Sequence, residues 1–106
     1  MGEVVLKTSR NALIPSAKAV IFTFTEDESL KTVRIHNTTN AAVDITVWFD
    51  PTGVLAGAQQ EVEQRTLGKK ETIHLDNMFN PENGGSITAE AGTNNVISVL
   101  ISGVTR

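Results

Sequence analysis

The sequence has no cysteine and no tyrosine, and four Phe and one Trp are its only aromatic residues. Without thiols neither a disulfide framework nor a thiolate metal site can form, so stability has to come from burial, strand pairing and association with other subunits. No apolar run approaches the roughly 18 residues that a membrane-spanning helix needs, and neither anchoring nor embedding in a membrane is expected. Positive charge is also sparse. Nine Lys and Arg stand against twelve Asp and Glu for a net charge of -3, and Lys69-Lys70 is the one adjacent basic pair. No basic stripe exists to neutralise a row of phosphates, which excludes nucleic acid as the expected partner. The first residues lack a signal peptide's pattern, with Glu3 where basic residues belong and an apolar run of only Val4-Val5-Leu6, so Sec-type export is not indicated. Gly2 does not open a myristoylation motif, because Leu6 stands where Ser or Thr is required.

What remains is ordinary in size and rich in strand formers. A chain of 106 residues fits one domain with one core, taken as 1–106, with 1–15 able to extend as an N-terminal arm. The 40% apolar and 20% charged fractions are those of a globular protein, and 13 Thr and 8 Asn beside 11 Val and 8 Ile combine strand and turn residues. Composition leans all-β.

The clearest local signal is Thr32 to Phe49. Two alternating runs flank Thr38-Thr39-Asn40, which reads as a β-hairpin. Val33 and Ile35 point inward with Thr32, Arg34 and His36 opposite; on the return, Val43, Ile45, Val47 and Phe49 oppose Asp44, Thr46, Trp48 and Asp50. Upstream, Glu3 to Thr8 is a short strand, Ser9-Arg10-Asn11 a turn, and Pro15 bars a central strand. Lys18 to Thr25 alternates with apolar residues on both faces, Val20, Phe22 and Phe24 against Ala19 and Ile21, as a strand covered on both sides would. Glu26 to Ser29 is an acidic turn, and Asp50-Pro51-Thr52-Gly53 a type I or II turn. Val54 to Leu67 is either an irregular loop leading to an edge strand or a short helix on Leu55, Ala58 and Val62. Glu71 to Asn77 is a strand with Ile73 and Leu75 inward. The breaker cluster Asn80 to Gly85 precedes a short strand, Ser86 to Ala91, and Val96 to Val104, apolar on both faces, belongs in the middle of a sheet or against another subunit. Roughly eight short strands and no convincing helix predict a single antiparallel β-sandwich of jelly-roll or Greek-key type.

Candidates for chemistry are few. His36 and His74 lie opposite the aliphatic faces, and with Asp76 near His74 a metal site still lacks a third ligand at dense spacing. Solvent or interface histidines are the simpler reading. The acids Glu26, Asp27 and Glu28, and Glu61 with Glu63, read as solvated loops rather than catalytic carboxylates. No nucleophile elbow, phosphate loop or nicotinamide fingerprint is present. Asn37-Thr38-Thr39 matches a glycosylation sequon, yet turn chemistry explains it. Trp48 is a large ring on a polar face, suited to a subunit contact or, with more aromatics than this chain has, to sugar stacking. No catalytic residue, metal or cofactor is expected, and the chain reads as a non-enzyme.

The runs Leu30 to Phe49, Glu71 to Asp76, Gly85 to Ala91 and Val96 to Val104 resemble small β-sandwich structural proteins of tailed bacteriophages, which contain an "Ile-x-Asn-Thr" hairpin, a short "Ser-Ile-x-Ala" strand and a closing "Val-x-Ile-Ser-Gly" strand. The resemblance implies a virion component, made in the host cytoplasm. The expected role is a capsid decoration (cement) protein, a homotrimer that binds the major capsid protein or another virion protein and stabilises the assembled shell. A head-neck or tail accessory protein, or a carbohydrate-binding module, is the alternative. Expected contact residues are Arg34, His36 and Trp48 on the outward face of the hairpin, with Leu13 and Pro15 from the N-terminal segment.

Overall fold

The computed structural model describes residues 7–52, 60–75 and 79–106. Eight strands are found there: β1 (Lys7–Leu13), β2 (Ala19–Thr23), β3 (Glu28–Asn37), β4 (Val43–Asp50), β5 (Gln60–Leu67), β6 (Thr72–His74), β7 (Ser86–Ala91) and β8 (Ile97–Thr105). They form two four-stranded sheets, β1-β8-β3-β6 (sheet 1) and β2-β7-β4-β5 (sheet 2), and every neighbouring pair is antiparallel. Each strand pairs with its mirror in chain order, β1 with β8, β2 with β7, β3 with β6 and β4 with β5. The chain is thus one long hairpin bent between β4 and β5 and wound into a sandwich, which is the jelly roll. The all-β sandwich expected from composition and spacing is the observed fold.

Alternation within strands decides which side chains enter the core. Val43, Ile45, Val47 and Phe49 of β4 are buried, as are Val33 and Ile35 of β3 and Ile97, Val99 and Ile101 of β8. They meet across the two inner faces with Ile73, Ile87, Ala89, Phe22 and Phe24, the sheet-on-sheet packing expected of aligned sandwiches. Strand β8, apolar on both faces in the sequence, lies between β1 and β3, in the middle of a sheet as its pattern required.

The local readings fail where pairing is decided at long range. Thr32 to Phe49 does not form a hairpin: β3 and β4 lie in different sheets and share no ladder. The segment 38–42 instead crosses from one sheet to the other, and Asn37, at the end of β3, anchors the crossing. Its side chain is fully buried. Its amide nitrogen donates to the carbonyls of Ala41 at 2.8 Å, Gly68 at 3.0 Å and Leu67 at 3.2 Å, and its amide oxygen accepts from the Thr39 backbone N–H at 3.0 Å and hydroxyl at 2.8 Å. One side chain thereby ties the β3–β4 crossover to the β5–β6 crossover. Burial also removes Asn37 as a glycosylation acceptor.

Ser9, Arg10 and Asn11 do not turn; β1 runs straight through them, paired with Ser102, Ile101 and Leu100. The acidic turn is shorter than its sequence suggests, since Glu28 opens β3 as a buried residue. Its carboxylate receives Arg10 Nη2 at 2.7 Å, and the Arg10 guanidinium lies 4.9 Å from the Phe24 ring centroid while Nη1 donates to the Thr23 carbonyl at 3.3 Å. Arg10 therefore closes the β1–β2 margin of the core. In β2 a bulge between Val20 and Phe22 breaks the alternation, so Phe22 is buried and Val20 is 53% exposed; the strand is an open edge rather than one covered on both sides. Asp50, expected on the polar face, is buried, and its Oδ1 accepts the Thr52 N–H at 3.2 Å. In the ambiguous region, Gln60–Leu67 is an edge strand, while Leu55 and Ala58 lie outside the described residues, as do Gly53, Asp76 and Met78. Of the segment considered as an arm, 7–13 is β1, and the Pro15 carbonyl accepts the Ala91 N–H at 3.0 Å.

Two stability predictions follow from these contacts. Asn37→Ala leaves the buried Leu67 carbonyl and the part-buried carbonyls of Ala41 and Gly68 without that donor and is expected to cost about 3 kcal/mol in urea denaturation; a loss below about 1 kcal/mol would contradict the knot. A β-carbon on Gly103 would lie 2.2 Å from the Ser29 carbonyl oxygen, beside the bulge between Leu30 and Thr32. Gly103→Ala is expected to cost about 1–3 kcal/mol, whereas Gly92→Ala, with its nearest neighbour at 3.7 Å, leaves the midpoint nearly unchanged.

Candidate interaction faces

Because strands alternate, each sheet presents an outward face whose residues can be read from the register. On sheet 1, one row crosses the strands as Asn11, Leu100, Arg34 and His74, and the next as Leu13, Ser98, His36 and Thr72. The pattern follows from β8, whose Ile97, Val99 and Ile101 face the core and leave Ser98, Leu100 and Ser102 outside. A shallow groove of about 550 Å³ lies along these rows, lined by Asn11, Arg34, His36, Thr72, Ser98 and Leu100. His36 Nδ1 and the Thr72 hydroxyl are 2.7 Å apart. Leu13 is 49% exposed. The face carries Arg34 and two imidazoles, and none of its described strand positions is a carboxylate.

Sheet 2 presents the opposite balance. Its outward rows join Asp44 to Thr66, Thr46 to Gln64 and Glu90, and Trp48 to Glu61 and Thr88, with Val20 beyond Thr88. Asp44 accepts the Thr66 hydroxyl. Three carboxylates, Asp44, Glu61 and Glu90, thus share the face with one ammonium, Lys18, whose Nζ lies 4.1 Å from the Trp48 ring centroid. The Thr88 hydroxyl is buried and has no hydrogen-bond partner. Glu63, next along β5, is paired with Val47 rather than with this face and meets Arg65 at 3.2 Å.

The expected contact residues are therefore divided between two surfaces. Arg34, His36 and Leu13 share the outward face of sheet 1, Trp48 lies on the outward face of sheet 2, and Pro15 sits in the crossover between the sheets. The structure does not bring Trp48 together with Arg34 and His36, because the hairpin that would have placed them side by side does not form. Sequence reasoning missed Leu100, Val20 and Glu90 as surface partners. Leu100 could have been found from the serines that flank the outer phase of β8, whereas Val20 depends on a bulge that no residue announces.

Among the described residues no group of three or more His, Cys, Asp or Glu could hold a metal ion. Glu26, Asp27 and Glu28 do not converge: Glu28 binds Arg10, and Asp27 Oδ1 accepts the Asn83 N–H at 2.9 Å. The Lys18 ammonium lies over one face of the Trp48 ring.

No family model matches the sequence, and no curated protein matches it. Two solved structures match the chain. One belongs to the Bacillus endospore appendages, described as a family of disulfide-linked pili; it is 14% identical, and the overlay covers 95% of this chain and 83% of that one with a TM-score of 0.52. The likeness is one of fold. The other, the crystal structure of PirA, is 16% identical over 98% of this chain and 95% of that one, and its TM-score of 0.42 is too low to add to the fold assignment.

Lys18 over the single Trp gives this face a direct optical probe. Lys18→Ala is expected to shift Trp48 emission to longer wavelength, raise its quenching by acrylamide and cost about 0.5–1 kcal/mol. Unchanged quenching would show that Lys18 does not cover the ring.

Proposed function

We propose that this chain is a non-enzymatic structural subunit that associates with copies of itself through non-covalent contacts. The observation that carries the reading is a closed, side-chain-filled sandwich whose distinguishing features are all on its broad outer faces. The large apolar side chains exposed among the described residues, Leu13 and Val20, lie one on each face. The fold shared with a Bacillus appendage protein supports the same reading, since that protein builds pili. Those pili are disulfide-linked; with no cysteine, copies of this chain would be held by contacts other than disulfides.

A second reading narrows the assembly to a capsid decoration protein, a homotrimer on the shell of a tailed bacteriophage bound to its major capsid protein. It is favoured by the strand order, because jelly rolls of this kind also build viral capsid domains, and by the strand and turn pattern of residues 30–49 and 85–104. A trimer closed about a three-fold axis would cover its contacts internally and stop growing, whereas an appendage subunit keeps adding copies.

Light scattering over a range of concentrations separates these outcomes. Species that grow with concentration are expected for an open assembly. A fixed mass of three times the 11.4 kDa chain would select the decoration trimer, and a monomer at every concentration would overturn both.

A further inference from the structure

We infer that the outward face of sheet 1 docks on the outward face of sheet 2 of a second copy, so that each subunit is gripped on both sides by unlike surfaces. This inference rests on the self-association proposed above and specifies its contact. The argument is charge complementarity reinforced by apolar matching. Arg34, with His36 and His74 beside it, faces outward from strand positions that hold no carboxylate, while Asp44, Glu61 and Glu90 face outward from sheet 2. Among the described residues each face also bears one large exposed aliphatic side chain and, in the same or the adjoining row, a half-buried apolar one: Leu13 and Leu100 on sheet 1, and Val20 and Trp48, two strands apart, on sheet 2.

Pairing like with like is penalised. Two sheet 1 faces would set Arg34 against a face without a carboxylate, and two sheet 2 faces would oppose their carboxylates, juxtapositions that complementary interfaces avoid. The unlike pairing is heterologous: each copy uses a different patch from its neighbour, and the assembly extends as a filament or closes as a ring according to the rotation between copies. Salt should loosen the contact, since exposed charge pairs are screened within about 3 Å at 1 M ionic strength.

The test is sedimentation of four samples of the full chain: wild type, Arg34→Glu, the double variant Glu61→Lys/Glu90→Lys, and an equimolar mixture of the two variants. All substitutions are on the surface, and circular dichroism melting verifies that each variant folds. Wild type is expected to assemble, each variant alone to lose assembly by about tenfold or more, and the mixture to recover it, because reversed faces then meet complementary ones. Variants that assemble like wild type would overturn the face pairing while leaving self-association standing. Recovery when Arg34→Glu is mixed with wild type, beyond either alone, would instead show sheet 1 meeting sheet 1 and would overturn the unlike pairing. A wild type that never assembles would overturn the proposed function itself.

Discussion

The amide of Asn37 is the constraint on which the sandwich depends. A jelly roll of this order passes its chain between sheets at every connection except the one from β4 to β5, and each passage leaves backbone carbonyls without ladder partners. Asn37 supplies two donors and an acceptor at the point where two passages meet, 38–42 and 68–71. Its backbone continues the tie, donating to the Glu71 carbonyl at 2.9 Å while Thr38 donates to Val96 at 3.1 Å. With these groups satisfied, β3 is free to pair with β8 and β6, and β4 with β7 and β5. At the opposite margin Arg10 and Glu28 perform a similar service, joining the first strand to the start of the third with the cation over Phe24. A buried carboxylate with its partner removed would be costly, which makes this pair a second point of commitment to the fold.

The sequence displayed strands more clearly than it displayed their partners. Alternation in Val43 to Phe49 shows which side chains are buried, because period two is a local property of an extended chain. Nothing local says that Ile35 pairs with Val99 rather than with a residue of the next strand. The apparent hairpin of β3 and β4 was the natural reading of Thr38, Thr39 and Asn40, and it was wrong because β3 takes its partners from β8 and β6 while β4 takes them from β7 and β5. Ser9 to Asn11 failed for the same reason: weak β propensity yields to seven backbone pairs with β8. The contact residues were legible in kind, as polar and aromatic side chains at outward positions of β3 and β4. They were not legible in arrangement, since the face each occupies depends on which sheet its strand joins.

How the edges are finished bears on the mode of assembly. Strand β6 is only three residues long, β2 is bulged, and β5 is bulged opposite Val47 and Trp48 and dense in charge, with Glu61, Glu63 and Arg65. All three devices discourage strand addition. Strand β1, seven residues without a bulge, is the edge left least protected. Outward faces with complementary charge and one exposed aliphatic each are then the surfaces best prepared to meet a neighbour.

Electron cryomicroscopy of the assembled wild-type protein tests that claim most directly. The account predicts stacked sandwiches, with Arg34 and Leu13 of one subunit against Glu90 and Val20 of the next and every sheet ending at its own four strands. A sheet that continues from one subunit into its neighbour through β1 would contradict it.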